Sequence, residues 1–331
     1  MGYASNYLCE AGSTILGRKG SINNPQFIEE RFWNVDTAFG ITPKDNNCSK
    51  YIYYFIKSIN WSEKNTGTTL PSLTQQVVKE VVIPIPSPSE QQAIVSRLDA
   101  AFAEIDTLKA NAEKQLEEAR KLFQAELTEC MKPKKGWEEK KLGEIVDSNC
   151  PISYGIVQQG EHVENGVPVV RPVDLNKKYV FKDNLKCTTA KISESYKRTI
   201  LRGDELLLSV RGTTGVVSIS TPELKGCNVN RGIVPLYFQN IVDRMFIYYE
   251  MISPFMQSVF AEKTTGSTLK QINIKDLRVI KFIFPSLSDQ QQIVAHLDAL
   301  SENVRKLEEV ERKTLAECDA LKQAMLREIF E

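Results

Sequence analysis

The stretch Pro86-Ser87-Pro88-Ser89-Glu90-Gln91-Gln92-Ala93-Ile94-Val95, followed by Leu98-Asp99-Ala100, recurs 199 positions later. There it reads Pro285-Ser286-Leu287-Ser288-Asp289-Gln290-Gln291-Gln292-Ile293-Val294, followed by Leu297-Asp298-Ala299. The offset begins at Gly67-Thr68-Thr69-Leu70, which meets Gly266-Ser267-Thr268-Leu269, and holds without a gap to the C-terminus. About a third of the positions are identical over roughly 65 residues, which marks a true internal repeat. At a slightly shorter offset, Leu16-Gly17-Arg18-Lys19-Gly20 resembles Ser209-Val210-Arg211-Gly212, and Asn34-Val35-Asp36 resembles Asn228-Val229-Asn230.

Working outward from this junction, each copy opens a long helix. Ser89 with Gln92, and Ser288 with Gln291, have the spacing of a capping box just after proline. Apolar or small residues then recur at Ile94, Leu98, Ala101, Ile105, Leu108, Ala112, Leu116, Ala119 and Leu122. The second copy gives Ile293, Leu297, Leu300, Val304, Leu307, Val310, Leu315, Cys318, Leu321 and Met325. A period near 3.5 with charged residues between predicts two rods, 89–131 and 288–331, that pair as an antiparallel coiled coil. Two separate amphipathic helices on separate cores are the alternative.

Lysine plus arginine (42) equal aspartate plus glutamate (42). The charge is nevertheless unevenly placed: about −4 in each rod, +1 in 1–88 and +7 in 132–287. A basic globular segment suits phosphate, although ordinary surface solubility is the plain alternative. Seven scattered cysteines, without a Cys-x-x-Cys pair, signal neither a zinc site nor a disulfide framework, and a reducing cytoplasm fits them. No signal segment or membrane-length apolar run is expected.

The segments between the rods read as mixed α and β structure. Runs at 205–210, 215–219, 233–238 and 279–284 predict strands, and 241–252 and 255–263 predict helices. The order of partial domain (1–88), rod (89–131), full domain (132–287) and rod (288–331) resembles the specificity subunit of Type I restriction-modification systems. Gly136-Trp137 with Lys141-Leu142-Gly143-Glu144-Ile145 is similar to the opening of a target-recognition domain in that family. Tyr154-Gly155-Ile156, Gly160 and Gly166-Val167-Pro168-Val169-Val170-Arg171-Pro172 resemble its next segment, and Thr265-Gly266-Ser267-Thr268-Leu269 and Phe284-Pro285 its close.

The resemblance implies an α+β chain in which two mixed α/β target-recognition domains, the first partial, alternate with two long helices. About 60 residues of the first domain, including the counterpart of Trp137 to Arg171, have no match. A gene fragment, one arm of a recombining locus and a naturally shortened subunit are the expectations this leaves open. The resemblance implies double-stranded DNA as ligand, two modification subunits and a restriction subunit as partners, and possible self-pairing of shortened copies. S-adenosylmethionine, ATP and Mg would be used by those partners, with no cofactor on this chain. Two domains on an antiparallel helix pair would read a split target.

Enzyme signatures are missing: there is no Gly-x-Gly-x-x-Gly turn and no Gly-Lys-Ser/Thr phosphate loop. Asn24-Pro25-Gln26-Phe27 resembles the Asn-Pro-Pro-Phe loop of amino-methyltransferases but lacks the second proline, so a plain turn is expected. His162 is expected in an exposed loop and His296, opposite Arg97 in the repeat, on a solvated helix face; no catalytic or metal site is expected. Base reading needs donors and acceptors on loops, with cations on phosphate. The candidates are Tyr154, Gln158, Gln159, Arg171, Arg211, Thr213, Thr214, Asn230, Arg231, Thr264, Thr265, Ser267, Lys270 and Gln271. In the shortened domain they are Arg18, Lys19, Asn34, Asp36, Lys64, Thr66 and Thr68. Turn-making is the competing role for each. A coiled-coil scaffold or inactive remnant, and more remotely an adenine methyltransferase fragment, are the competing functions.

Overall fold

The structure, a computed structural model, describes residues 6–44, 47–267 and 269–331, so Thr268 of the repeated turn lies outside it. In chain order the elements are β1 (Ser13–Gly17), β2 (Gln26–Ile28), β3 (Ala38–Ile41), α1 (Ser49–Ser58), α2 (Gln75–Lys79) and the first rod, α3 (Pro88–Cys130). Then follow β4 (Glu138–Lys141), α4 (Leu142–Ile145), β5 (Val167–Val170), β6 (Tyr179–Val180), β7 (Lys186–Thr188) and α5 (Ala190–Ser195). The chain continues through β8 (Leu206–Ser209), β9 (Val217–Ser220), β10 (Asn228–Val229), β11 (Ile233–Leu236), α6 (Arg244–Ile252) and α7 (Pro254–Lys263). It closes with α8 (Ile274–Arg278), β12 (Lys281–Phe284) and the second rod, α9 (Leu287–Phe330). The mixed α and β class expected from the sequence is what is found, with strands and helices within a few residues of the runs that predicted them. No described helix is long and apolar enough to cross a membrane.

The chain forms two compact units, Met1–Glu117 with Leu307–Glu331, and Glu118–Lys306. Each rod therefore begins in one unit and ends in the other, and the units cut across the four segments read from the sequence. In the first unit β2-β1-β3 form an antiparallel sheet. Its core joins Leu16, Tyr51, Ile52 and Trp61 to Val95, Leu98, Phe102 and Ile105 of α3 and Leu326 of α9. In the second unit, β11-β8-β9-β6 and β10-β5-β7 make two sheets, and β12 pairs antiparallel with β4, tying the end of the domain to its start. Its main core runs from Leu206, Leu208, Phe246 and Phe282 to Leu127 of α3 and Leu297 of α9. Burial of such large side chains contributes about 1.5–3 kcal/mol each, so rod and domain are held mainly by apolar packing.

The two rods pack together and run antiparallel, since Lys109 Nζ lies 2.6 Å from Asp319 Oδ1 while Asp106 pairs with Lys322. The heptad period is as expected, but one of its two rows is shifted by a residue. Phe102, Lys109 and Phe123 face inward, whereas Leu108 and Leu122 are exposed; on α9, Glu311 is buried while Val310 is exposed. Lysine enters the seam because its stem is apolar and its ammonium reaches a carboxylate at the edge.

Both capping boxes also sit two residues earlier than the sequence suggested. The Ser87 amide donates to Glu90 Oε2 (2.9 Å) and the Glu90 amide to Ser87 Oγ (3.4 Å), with Pro88 in the first helical position. In the second copy Ser286 Oγ donates to Asp289 Oδ2 (2.7 Å) and accepts from the Asp289 amide (3.3 Å). Gln91 and Gln290, each one residue before the glutamine expected in the box, are buried and have another task. Gln91 Oε1 accepts from the Cys48 amide (2.8 Å) and its Nε2 donates to the Pro86 carbonyl (2.9 Å). Gln290 repeats this with the Asp243 amide (2.7 Å) and the Pro285 carbonyl (2.9 Å). Asp99 takes Lys50 and Tyr54, and Asp298 takes Lys178 and Tyr249. The most closely repeated residues are thus those that dock each rod on its own domain.

Candidate nucleic-acid interface

The candidate surface of the second unit is built by a loop that folds onto the end of β8. The Gly212 amide donates to the Lys270 carbonyl (2.9 Å) and the Ile272 amide to the Val210 carbonyl (2.9 Å), which sets Arg211 opposite Gln271. Thr265 and Gln271 exchange backbone hydrogen bonds of 2.8 Å in each direction, closing the turn between them. Gly266 permits that turn: its φ is +98°, and a Cβ there would lie 2.3 Å from the Leu269 carbonyl oxygen. From the other side, the Ile156 amide donates to the Val229 carbonyl and the Arg231 amide to the Ile156 carbonyl, both at 2.8 Å. Gly155 allows this approach, because a Cβ would meet the Val229 oxygen at 2.1 Å.

These contacts bring Tyr154, Arg211, Arg231 and Gln271 around one cleft of about 270 Å³, with Val157 and Asn273. Tyr154 is oriented by its hydroxyl, which accepts from the Ile274 amide (3.2 Å). A second cleft shares Tyr154 and adds Ser195, Tyr196, Lys197 and Arg198. Sequence reasoning missed Lys197 and Arg198; an adjacent cation pair inside the basic segment was the available signal. Among the described residues, Arg211, Arg231, Lys197 and Arg198 have no ion-pair partner, so their charges face solvent.

Other candidates have local occupations. Arg171 is held by Asp174 through Nε (3.1 Å) and a terminal nitrogen (3.0 Å), which raises the guanidinium's pKa and leaves its fork committed to a turn. Asn230 Oδ1 accepts from the Gly232 amide (2.9 Å), and Gln159 Nε2 donates to the Lys186 carbonyl (3.3 Å). Thr214 and Thr264 join their hydroxyls at 2.9 Å. Gln158, Thr213, Thr265, Ser267 and Lys270 are exposed. His162 is exposed in its loop and accepts from the Cys187 amide through Nδ1 (3.1 Å). His296 is not simply solvated: its Nε2 lies 2.9 Å from Glu126 Oε1 on the other rod.

The first unit repeats the loop pairing. The Gly20 amide donates to the Pro71 carbonyl (2.8 Å) and the Leu73 amide to the Arg18 carbonyl (2.9 Å), with Lys19 opposite Ser72. Thr66 closes this turn through the Ser72 carbonyl (3.1 Å), while Thr68 is exposed beyond it. Arg18, Asn34 and Asp36 line one cleft with Phe39 and Gln75. Arg18 donates to the Asp36 carbonyl (3.2 Å), and Asn34 Nδ2 to the Ala38 carbonyl (2.9 Å). Lys64 lines a different cleft, beside Asn60 and Phe330. Asn24 stays in a local turn, accepting from Gln26 Nε2 (2.8 Å).

A duplicated sheet-and-helix domain, docked on a long helix by a repeated glutamine and aspartate and carrying a polar loop cleft, defines a specificity-domain architecture. The chain belongs to the Type I restriction modification DNA specificity domain family, whose model matches residues 1–118 and 134–316. It is similar to the Type I restriction enzyme EcoBI specificity subunit of Escherichia coli, 23% identical over 352 residues, covering 96% of this chain and 72% of that protein. The MjaIX specificity subunit of Methanocaldococcus jannaschii is 26% identical over 329 residues, covering 87% and 69%. Among solved structures, a chain described under complex assembly and conformational transition of the type I R-M system superposes with a TM-score of 0.80 at 21% identity. That match covers 98% of this chain and 82% of the other. The HsdS subunit from Thermoanaerobacter tengcongensis gives 0.56 at 20% identity, covering 97% and 81%. These likenesses place the fold.

Proposed function

We propose that this chain is a sequence-specific DNA-reading subunit that performs no chemistry itself and directs the adenine methylation or cleavage carried out by partner subunits. The observation that carries the reading is the convergence of Tyr154, Arg211, Arg231 and Gln271, from four separate stretches of chain, on one solvent-facing cleft. Arginine reads guanine through O6 and N7, and glutamine reads adenine through N6 and N7. Lys197 and Arg198 stand next to that cleft as phosphate contacts, which fix register without carrying sequence information. Arg18, Lys19 and Asn34 are the corresponding groups of the first unit, so the target is bipartite, with one half-site per unit.

The partners are two modification subunits, which supply S-adenosylmethionine and adenine transfer, and a restriction subunit that uses ATP and Mg. The test is to purify the chain with its modification subunits and map adenine methylation across a library of random duplexes. A single split motif is expected. Methylation by the chain alone, or methylation by the complex without any motif, contradicts the reading.

A further inference from the structure

The pair of rods carries a three-ligand cluster in the second unit that DNA reading does not use. Glu126 and Cys130 lie one helical turn apart on α3, and His296 reaches them from α9. Glu126 Oε1 is 2.9 Å from His296 Nε2 and 3.7 Å from Cys130 Sγ, and one donor atom from each residue falls within 4.8 Å of the others. A tetrahedral zinc site with ligand distances of about 2.0–2.3 Å has neighbouring donors roughly 3.5 Å apart, so small rotamer adjustments suffice to enclose an ion. Cys130 is partly buried against the core that holds Leu127, which gives the sulfur an apolar backing, while His296 stays open to solvent.

The internal repeat supplies an independent comparison. At the same offset of 199, Glu126, Cys130 and His296 correspond to Met325, Ile329 and Arg97. In the first unit Met325 and Ile329 simply pack on the core. Three positions that could all have been apolar or inert are here a carboxylate, a thiol and an imidazole, and they converge.

We propose that Glu126, Cys130 and His296 bind one divalent transition-metal ion, zinc by ligand type, with a fourth position open to water. Thiolate and imidazole select zinc over magnesium or calcium, and three protein ligands leave the coordination shell open. The ion joins residues 170 positions apart and locks α9 against α3 where both meet the second domain.

The experiment uses the full chain, stripped of metal and titrated with cobalt(II) as a spectroscopic probe for zinc. One equivalent is expected to bind with the visible bands of a tetrahedral site and a thiolate-to-cobalt charge-transfer band, and zinc should displace it. Cys130→Ser should lose the charge-transfer band. His296→Arg, which installs the residue of the other repeat at an exposed position and so preserves folding, should abolish uptake. Zinc should raise the thermal midpoint of the wild-type chain and leave that of His296→Arg unmoved. Absence of stoichiometric uptake, or a charge-transfer band that survives in either variant, overturns the proposal.

Discussion

Arg231 and Arg171 show how two arginines in one domain differ in what they can do. Arg231 lines the cleft with no carboxylate partner among the described residues, whereas Arg171 is tied twice to Asp174. Arg231→Ala is expected to weaken binding to the cognate duplex by about 1–3 kcal/mol and to relax preference at one base position, read by competition titration. Arg171→Ala should instead lower stability by about 1–3 kcal/mol in urea unfolding and leave base preference unchanged. Lys197→Ala with Arg198→Ala should weaken all duplexes alike and make the salt dependence of binding shallower by close to two phosphate contacts, about 0.9 in slope for each. Glu250 belongs to the same scale. Burial pushes its carboxyl up to about 8, opposed by the hydrogen bond from the Ile283 amide, and Oε2 has no partner. Between the ordinary carboxylate range and that value the unfolded chain ionises while the folded one does not, so stability falls as pH rises, by at most about 1.4 kcal/mol per pH unit. The difference in unfolding free energy between wild type and Glu250→Gln should carry that slope between pH 5 and 8; a difference that stays flat contradicts it.

At the scale of elements, the rods were legible and their detailed seating was not. A heptad period survives in any sequence that forms such a pair, so Leu98, Ile105 and Ala112 were placed correctly. The neighbouring row was not, because Leu108 looks more buriable than Lys109. Only the antiparallel partner, with Asp319 at the right height, decides for lysine. The capping boxes misled for a similar reason: Ser-x-x-Glu and Ser-x-x-Gln overlap at 87–92, and Pro88 in the first helical position settles it. Gln91 and Gln290 are 1% and 0% exposed. Because each satisfies two backbone groups, Gln290→Ala should cost roughly 2–4 kcal/mol by leaving the Asp243 amide and the Pro285 carbonyl buried without partners. Chemical denaturation checks this; a loss below 0.5 kcal/mol, by the scale of neutral surface changes, would mean that water replaces the side chain.

For the whole molecule, the duplication was the most informative feature of the sequence, since it fixed the rods, the class of fold and the family together. The cleft was only partly visible. Arg211 and Arg231 flank glycines that announce turns, but nothing local tells that Tyr154 and Gln271 meet them; Gln271 arrives through the pairing of 210–212 with 270–272, and Tyr154 through that of Ile156 with 229–231. The central claim is that each unit reads its own half of a split target. The most direct measurement is methylation mapping of the assembled complex carrying Arg211→Ala with Arg231→Ala, beside wild type, on one random duplex library. Relaxation confined to one half of the motif, with the other half unchanged, is predicted. Equal loss across both halves, or an unaltered motif, would contradict it.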